Sequence, residues 1–191
     1  MATLRRLTSL LPIKLTFQTV SVGAVLKMTA AFVAYSGETT SELLAYPTRG
    51  QRDLLVRAFE EGLQRKVSRT GERALSREER IVLAVRALDR EVNNGGYDQF
   101  FRNSSKKFAP EIVKSLTRIG CRRTAKITQG AINAVHSGPL TLARIEAAMR
   151  GTSEDRDREL ELCDELFYRT PQGIPSRLYA FIKAKNRRIR L

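Results

Sequence analysis

Tryptophan is absent, histidine occurs once, at His136, and cysteine twice, at Cys121 and Cys163. One imidazole and two distant thiols cannot complete a structural zinc site, and the cysteines lack CxxC spacing. Two thiols do not make a disulfide framework either, so a reducing, cytoplasmic setting is expected. The chain has no glycine-rich phosphate loop, no nucleophile motif and no clustered metal ligands. No cofactor, metal or catalytic residue is therefore expected, and the reading is non-enzymatic. A membrane span is excluded too. The longest early uncharged run lies between Lys14 and Lys27, too short to cross a bilayer.

What the chain does have is positive charge. Its 191 residues carry a net charge of +14, from 34 Lys and Arg against 20 Asp and Glu. Residues 76–170 are nearly balanced, with seventeen basic and fourteen acidic side chains, whereas the tail from Pro171 to Leu191 has six basic and no acidic ones. Such a tail favours an anionic partner without choosing among nucleic acid, acidic protein and membrane surface. Hydrophobic residues make up 42%, and eight Phe and five Tyr supply large core pieces.

Residues 1–50 read as an N-terminal extension and residues 51–191 as one helical domain. The first 37 residues contain no acid, and Lys14 interrupts what would be the apolar region of a secretory signal. Two readings stay open for this stretch: a transit-like targeting segment, or a start placed upstream of a better one at Met28. The alternation at Ile13–Phe17 is strand-like but isolated. Residues 1 to about 45 are expected to be dispensable and poorly packed.

From Gln51 the apolar residues recur with helical spacing, and the fold expected is an all-α bundle of about six or seven helices. Leu55, Phe59 and Leu63 form one stripe, with Asp53–Arg57 and Glu61–Arg65 as i,i+4 pairs on the wet side. Ser76 and Glu79 form a capping box ahead of the buried stripe Ile81, Ala84, Val85, Leu88 and Val92. That helix is expected to stop at Asn93-Asn94-Gly95-Gly96, and Tyr97–Asn103 to form a short turn pushing Phe100 and Phe101 inward. Pro110 suits the first turn of a third helix, with Ile112, Leu116 and Ile119 inward. Further helices follow over about Cys121–Val135, over Leu140–Met149 with Leu142, Ile145 and Met149 inward, and around Leu160, Cys163 and Phe167. The last one buries Leu178, Phe181 and Ile182.

The string Glu91-Val92-Asn93-Asn94-Gly95-Gly96-Tyr97-Asp98-Gln99-Phe100-Phe101-Arg102-Asn103-Ser104-Ser105 resembles the signature of the bacterial DNA-mimic protein family. Leu116–Cys121, Leu162–Tyr168 and Tyr179–Ile182 resemble further segments of it, so the resemblance covers roughly Arg73 to Asn186. It implies an all-helical, non-catalytic module that binds protein, often as a homodimer. The partner it implies is a DNA-binding regulator, whose DNA-binding face an acidic surface occupies. A mimic needs carboxylates spaced like phosphates, and this chain is basic. The fold expectation therefore transfers, and the mimicry does not transfer directly.

Within the signature, Glu91, Asn93, Asn94, Gly95, Gly96, Phe100 and Phe101 read as structural. Glu91 falls at the edge of the buried stripe and needs donors. The Gly95-Gly96 amides and the Asn93 and Asn94 side chains are nearest in sequence, so Glu91 is expected to staple the turn. The competing reading, a general base, lacks a nucleophile or histidine nearby. Asp98, Gln99 and Asn103 are candidates for protein binding, and equally suit turn capping. The alternative function is direct nucleic-acid binding. Residues 102–126 hold eight cations, Arg102, Lys126 and the candidate contacts Lys106, Lys107, Lys114, Arg118, Arg122 and Arg123, against Glu111 alone. The tail adds Lys183, Lys185, Arg187, Arg188 and Arg190. Residues 154–165, with seven acids and two arginines, are the one stretch able to imitate phosphates, or else an acid-rich first turn matching the helix dipole. Cys121 and Cys163 read as small buried hydrophobes, and His136 as a complement to a helix C-terminus.

Overall fold

The Ser76 hydroxyl accepts the Glu79 amide while the Glu79 carboxylate accepts the Ser76 amide, and this capping box starts the longest helix of the protein. In the computed structural model, which describes residues 34–47, 50–135, 138 and 140–191, that helix is α3, Arg77–Arg102. Before it come α1 (Thr40–Ala45) and α2 (Arg52–Thr70); after it come α4 (Ala109–Arg118), α5 (Arg122–Val135), α6 (Leu142–Arg150), α7 (Glu154–Arg169) and α8 (Ile174–Ala184). Short 3-10 turns cover Glu72–Ala74, Ser104–Phe108 and Asn186–Arg188. No strand occurs among the described residues. The strand-like Ile13–Phe17, the region around Met28 and His136 lie outside them.

The helix α3 is the central strut, touching α2, α4, α6, α7 and α8, while α5 closes the bundle against α4, α6 and α7. The stripes read from the sequence are its core: Leu55, Phe59 and Leu63 on α2, Val85, Leu88 and Val92 on α3, and Ile112 and Leu116 on α4 are all fully buried. Pro110 stands in the first turn of α4. Two expectations fail here. Leu142 is 42% exposed, because α6 begins there and only Ile145 and Met149 of its stripe reach the core. Asp53 pairs with Arg86 of α3 rather than with Arg57, since the neighbouring helix offers a less exposed guanidinium.

The signature segment also differs from the turn expected. The helix breaks at Gly95 and Gly96 but resumes at once, so Tyr97–Arg102 is a second helical piece rather than a turn. Its aromatics are fully buried: Tyr97 stacks on Phe101, Phe100 meets Phe101 edge-on, and Phe167 of α7 meets Tyr97 edge-on at 6.1 Å.

Packing begins before residue 51. Thr39 and Glu42 form a capping box for α1, and Leu43 is fully buried against the core. Thr40 Oγ1 donates to the Ile189 carbonyl at 2.8 Å, joining the two ends of the described chain. Residues 35–45 are thus part of the fold, against the expectation of poor packing, because Leu43, with Tyr35, Leu44 and Tyr46 packed beside it, and one cap seat the six-residue helix. The far terminus is equally seated. Ile189 is buried, the Arg188 carbonyl accepts from Ser76 Oγ at 2.7 Å, and the Arg190 amide donates to Glu79 at 2.7 Å.

Candidate functional site

The kink in α3 organises the signature residues. Gly96 has φ +75° and ψ −175°, a conformation open essentially to glycine alone. The kink turns the chain so that the side chains of the second helical piece fall back onto Glu91. Glu91 is only 6% exposed and accepts from Gln99 Nε2 at 2.7 Å, Asn103 Nδ2 at 2.7 Å and Ser105 Oγ at 2.8 Å, with Arg90 at 3.3 Å. Burial alone would push its pKa up, but these donors outweigh burial and hold the carboxyl below its ordinary value. Glu91 does staple the segment, yet through residues after the kink. Asn93 instead donates to Asp89, and Asn94 to Gln99. A Cβ on Gly95 would lie 2.1 Å from Gln99 Oε1, so a side chain there would have to shift the Gln99 amide.

Arg90 extends this network to α2. It also pairs with Glu60, which is 7% exposed and accepts from Arg86 at 3.1 Å, and Arg86 in turn pairs with Asp89 and Asp53. Burial, working against Arg86, raises the Asp89 pKa. No sequence motif marked this buried ion cluster, since each member is an ordinary charged residue on a helix; the clue was Arg86 and Asp89 flanking the buried Val85 and Leu88. The neighbouring cavity between α2, α3 and the 3-10 turn after it has charges engaged as well: Glu60 pairs with Arg90 and Glu72 with Lys107, and Arg80 donates to the Glu72 backbone carbonyl. Among the described residues no group of three or more His, Cys, Asp and Glu could hold a metal ion. Both cysteines are buried, and burial raises the pKa of each thiol.

The three protein-binding candidates separate. Gln99 and Asn103 spend their amide groups on Glu91. Asp98 stays half exposed, pairs with Arg102 at 2.8 Å, and lies close enough to α7 to raise the pKa of Asp164. There it joins the acidic stretch of α7. That helix is held by Leu160, Cys163 and Phe167 inward, by the buried Arg156 against the Ala148 and Gly151 carbonyls, and by Tyr168 Oη donating to the Val92 carbonyl. Its outer face carries Leu162 and Leu166, 47% and 50% exposed one turn apart, among exposed carboxylates, whereas Tyr168, 52% exposed, lies on the flank toward α3. Amphipathic periodicity gave no hint of these outward leucines. The seven acids nearby were the visible feature.

The basic candidates separate too. Lys106 pairs with Glu146 and Lys107 with Glu72, whereas Lys114, Arg118, Arg122, Arg123 and Lys126 are exposed and in no ion pair among the described residues. The tail side chains Lys183, Lys185, Arg187, Arg188 and Arg190 are exposed on a backbone that is pinned.

The domain is all-helical and built on a glycine-kinked strut, with its signature carboxylate spent on holding that kink. Residues 73–185 match the family described as DMP19-like protein, and the chain belongs to that DNA-mimic family. No curated protein and no solved structure matches the chain. No described helix is long and apolar enough to cross a membrane.

Proposed function

We propose that the chain is a non-catalytic, regulatory protein-binding module of the reducing cytoplasm, and that the outer face of α7 with Asp98 takes the basic surface of a partner, such as a DNA-binding regulator. The observation that carries this reading is the pair Leu162 and Leu166, half exposed at the centre of a carboxylate-rich helix. Apolar anchors within a charged rim are the anatomy of a protein interface, where a few buried contacts dominate affinity. Membership of a DNA-mimic family supports an acidic surface as the working one. The chain's net charge of +14 does not oppose this, because a partner senses the local face and charges beyond roughly 10 Å are screened. Asp98 lies beside Asp164, on the flank of α7 that meets α3, and adds negative charge next to the leucine face rather than on it, while Gln99 and Asn103 are engaged by Glu91.

The test is co-purification from the native host with nuclease present, comparing the full chain with a Leu162→Ser/Leu166→Ser double variant. Both leucines are outward, so the variant should melt as the parent does. Recovery of a basic DNA-binding protein by the parent but not the variant supports the reading. Recovery that ignores the variant, or that vanishes with nuclease, overturns it.

A further inference from the structure

Several of the exposed cations that make no ion pair among the described residues lie together. Gln172 ties the start of α8 to the start of α5: its side-chain oxygen accepts from the Thr124 amide and hydroxyl at 2.9 and 3.2 Å, and its carbonyl accepts from Arg177 Nε at 2.9 Å. Arg177 thereby sits against the α4–α5 junction, where a Cβ on Gly120 would lie 3.0 Å from its Nη1. Arg118, Arg122 and Arg123 flank that junction, exposed and in no ion pair among the described residues. From Arg177 the exposed side of α8 continues through Ala180 to Lys183, and the tail adds Lys185 and Arg187.

We propose that these open cations of the α4–α5 junction and of α8 with its tail form one face that binds duplex DNA through its phosphates, independently of base sequence. Three features choose this occupant. Arginine, whose planar fork matches phosphate oxygens, dominates the face. The tail is anchored by Ile189, so little ordering is lost when its cations engage a rigid charged rod. The exposed large hydrophobics among the described residues, Leu54, Leu142, Leu162, Leu166 and Tyr168, all lie on α2, α6 and α7. The basic face therefore offers no platform for stacking unpaired bases, no wedge for a kinked step and no anchor for a bilayer. The 11 residues of α8 extend about 16 Å, the reach of several phosphates. This surface shares no residue with the α7 face, so either can fail without the other.

The experiment measures fluorescence anisotropy of a labelled random-sequence duplex of about 20 base pairs with the full chain, over about 50 to 300 mM KCl. Two variants are compared: Arg118→Gln/Arg122→Gln/Arg123→Gln and Lys183→Gln/Lys185→Gln/Arg187→Gln. Each is expected to weaken binding at least tenfold near 100 mM salt, to flatten the log–log salt slope by about 2 to 3, and to do so equally for unrelated sequences. Should a triple variant melt early, Arg122→Gln alone is expected to lower the slope by about 0.9. Leu162→Ser/Leu166→Ser should leave duplex affinity unchanged. A slope unmoved by either triple variant, no binding at about 50 mM salt, or tighter binding to phosphatidylserine vesicles than to duplex would overturn the proposal.

Discussion

The carboxylate of Asp164 occupies the space that a side chain on Gly96 would need. A Cβ at Gly96 would lie 2.2 Å from Asp164 Oδ2, and Asp164 Oδ1 accepts the Tyr97 amide at 2.8 Å. The second piece of α3 thus receives its cap from α7 rather than from its own chain. One interaction fixes both the restart of a helix and the seat of the helix that carries the proposed interface.

Gly96→Ala is therefore expected to destabilise the protein by about 2 to 4 kcal/mol, from a glycine-only conformation and a displaced cap. Asp164→Asn retains an acceptor and should cost little near neutrality. Burial pushes the Asp164 pKa up, the Tyr97 amide pulls it down, and Asp98 and Glu161 add to the rise. With the native pKa above the unfolded one, the stability tied to this proton is complete below the ordinary carboxylate pKa and is lost as pH rises through the native value. Wild type should accordingly gain on Asp164→Asn as pH is lowered from 7 to about 4. Urea midpoints for the three proteins at both pH values check this, and a gap that widens in favour of the Asn variant on acidification would contradict it.

Glu91 has the opposite sign. Its donors hold the native pKa below the unfolded value, so its stabilisation is present above about pH 4.3 and is lost as pH falls through the native pKa. Glu91→Gln turns an amide toward Gln99, Asn103 and Ser105 and should cost on the order of 3 kcal/mol at pH 7. The cost should shrink toward pH 3. Equal cost at both pH values, read from chemical denaturation, would show that charge is not what Glu91 supplies.

Much of the bundle was legible because long helices write their burial into spacing. Leu55, Phe59 and Leu63, the Ile81–Val92 stripe and the Ser76–Glu79 box all reappear in place. The parts that were not legible share one cause: they depend on residues far apart in sequence. Nothing near Glu91 reveals that its partners come from beyond a kink, and nothing near Gly96 reveals Asp164. The helix α1 holds a single fully buried leucine, Leu43, too little for periodicity, although Thr39 and Glu42 did spell its cap. For the site, the acidic and basic segments were visible as composition. Which cations are already paired, and which leucines face outward, required the packing.

Leu43→Ala tests whether the fold begins before residue 51. A fully buried leucine replaced by alanine should lower stability by about 2 to 5 kcal/mol. A chain starting at residue 48 should lose at least as much, because it also forfeits the bond from Thr40 to Ile189. Thermal melts with all three chains unchanged would return residues 35–45 to the status of a dispensable extension.

The tail carries the last prediction, because its cations and its anchor can be separated. Glu79 is 1% exposed and accepts from Lys66 at 2.8 and 3.0 Å, from the Ser76 amide and from the Arg190 amide. Ending the chain after Asn186 removes the Arg190 donor and the buried Ile189, leaving part of a buried carboxylate without its partner. Such a truncation should cost about 2 to 4 kcal/mol, from a lost charge-assisted hydrogen bond and a lost apolar side chain. Replacing the exposed side chains Lys183, Lys185 and Arg187 by Gln keeps every one of those contacts and should shift stability by no more than about 0.5 kcal/mol. The two changes therefore dissociate in opposite ways: truncation lowers the melting temperature, and the Gln triple leaves it in place. Charge replacement, not trimming, is the informative way to ask what the tail binds. A Gln triple that melted as early as the truncation would mean that the side chains, rather than Ile189 and the Arg190 amide, hold the tail down.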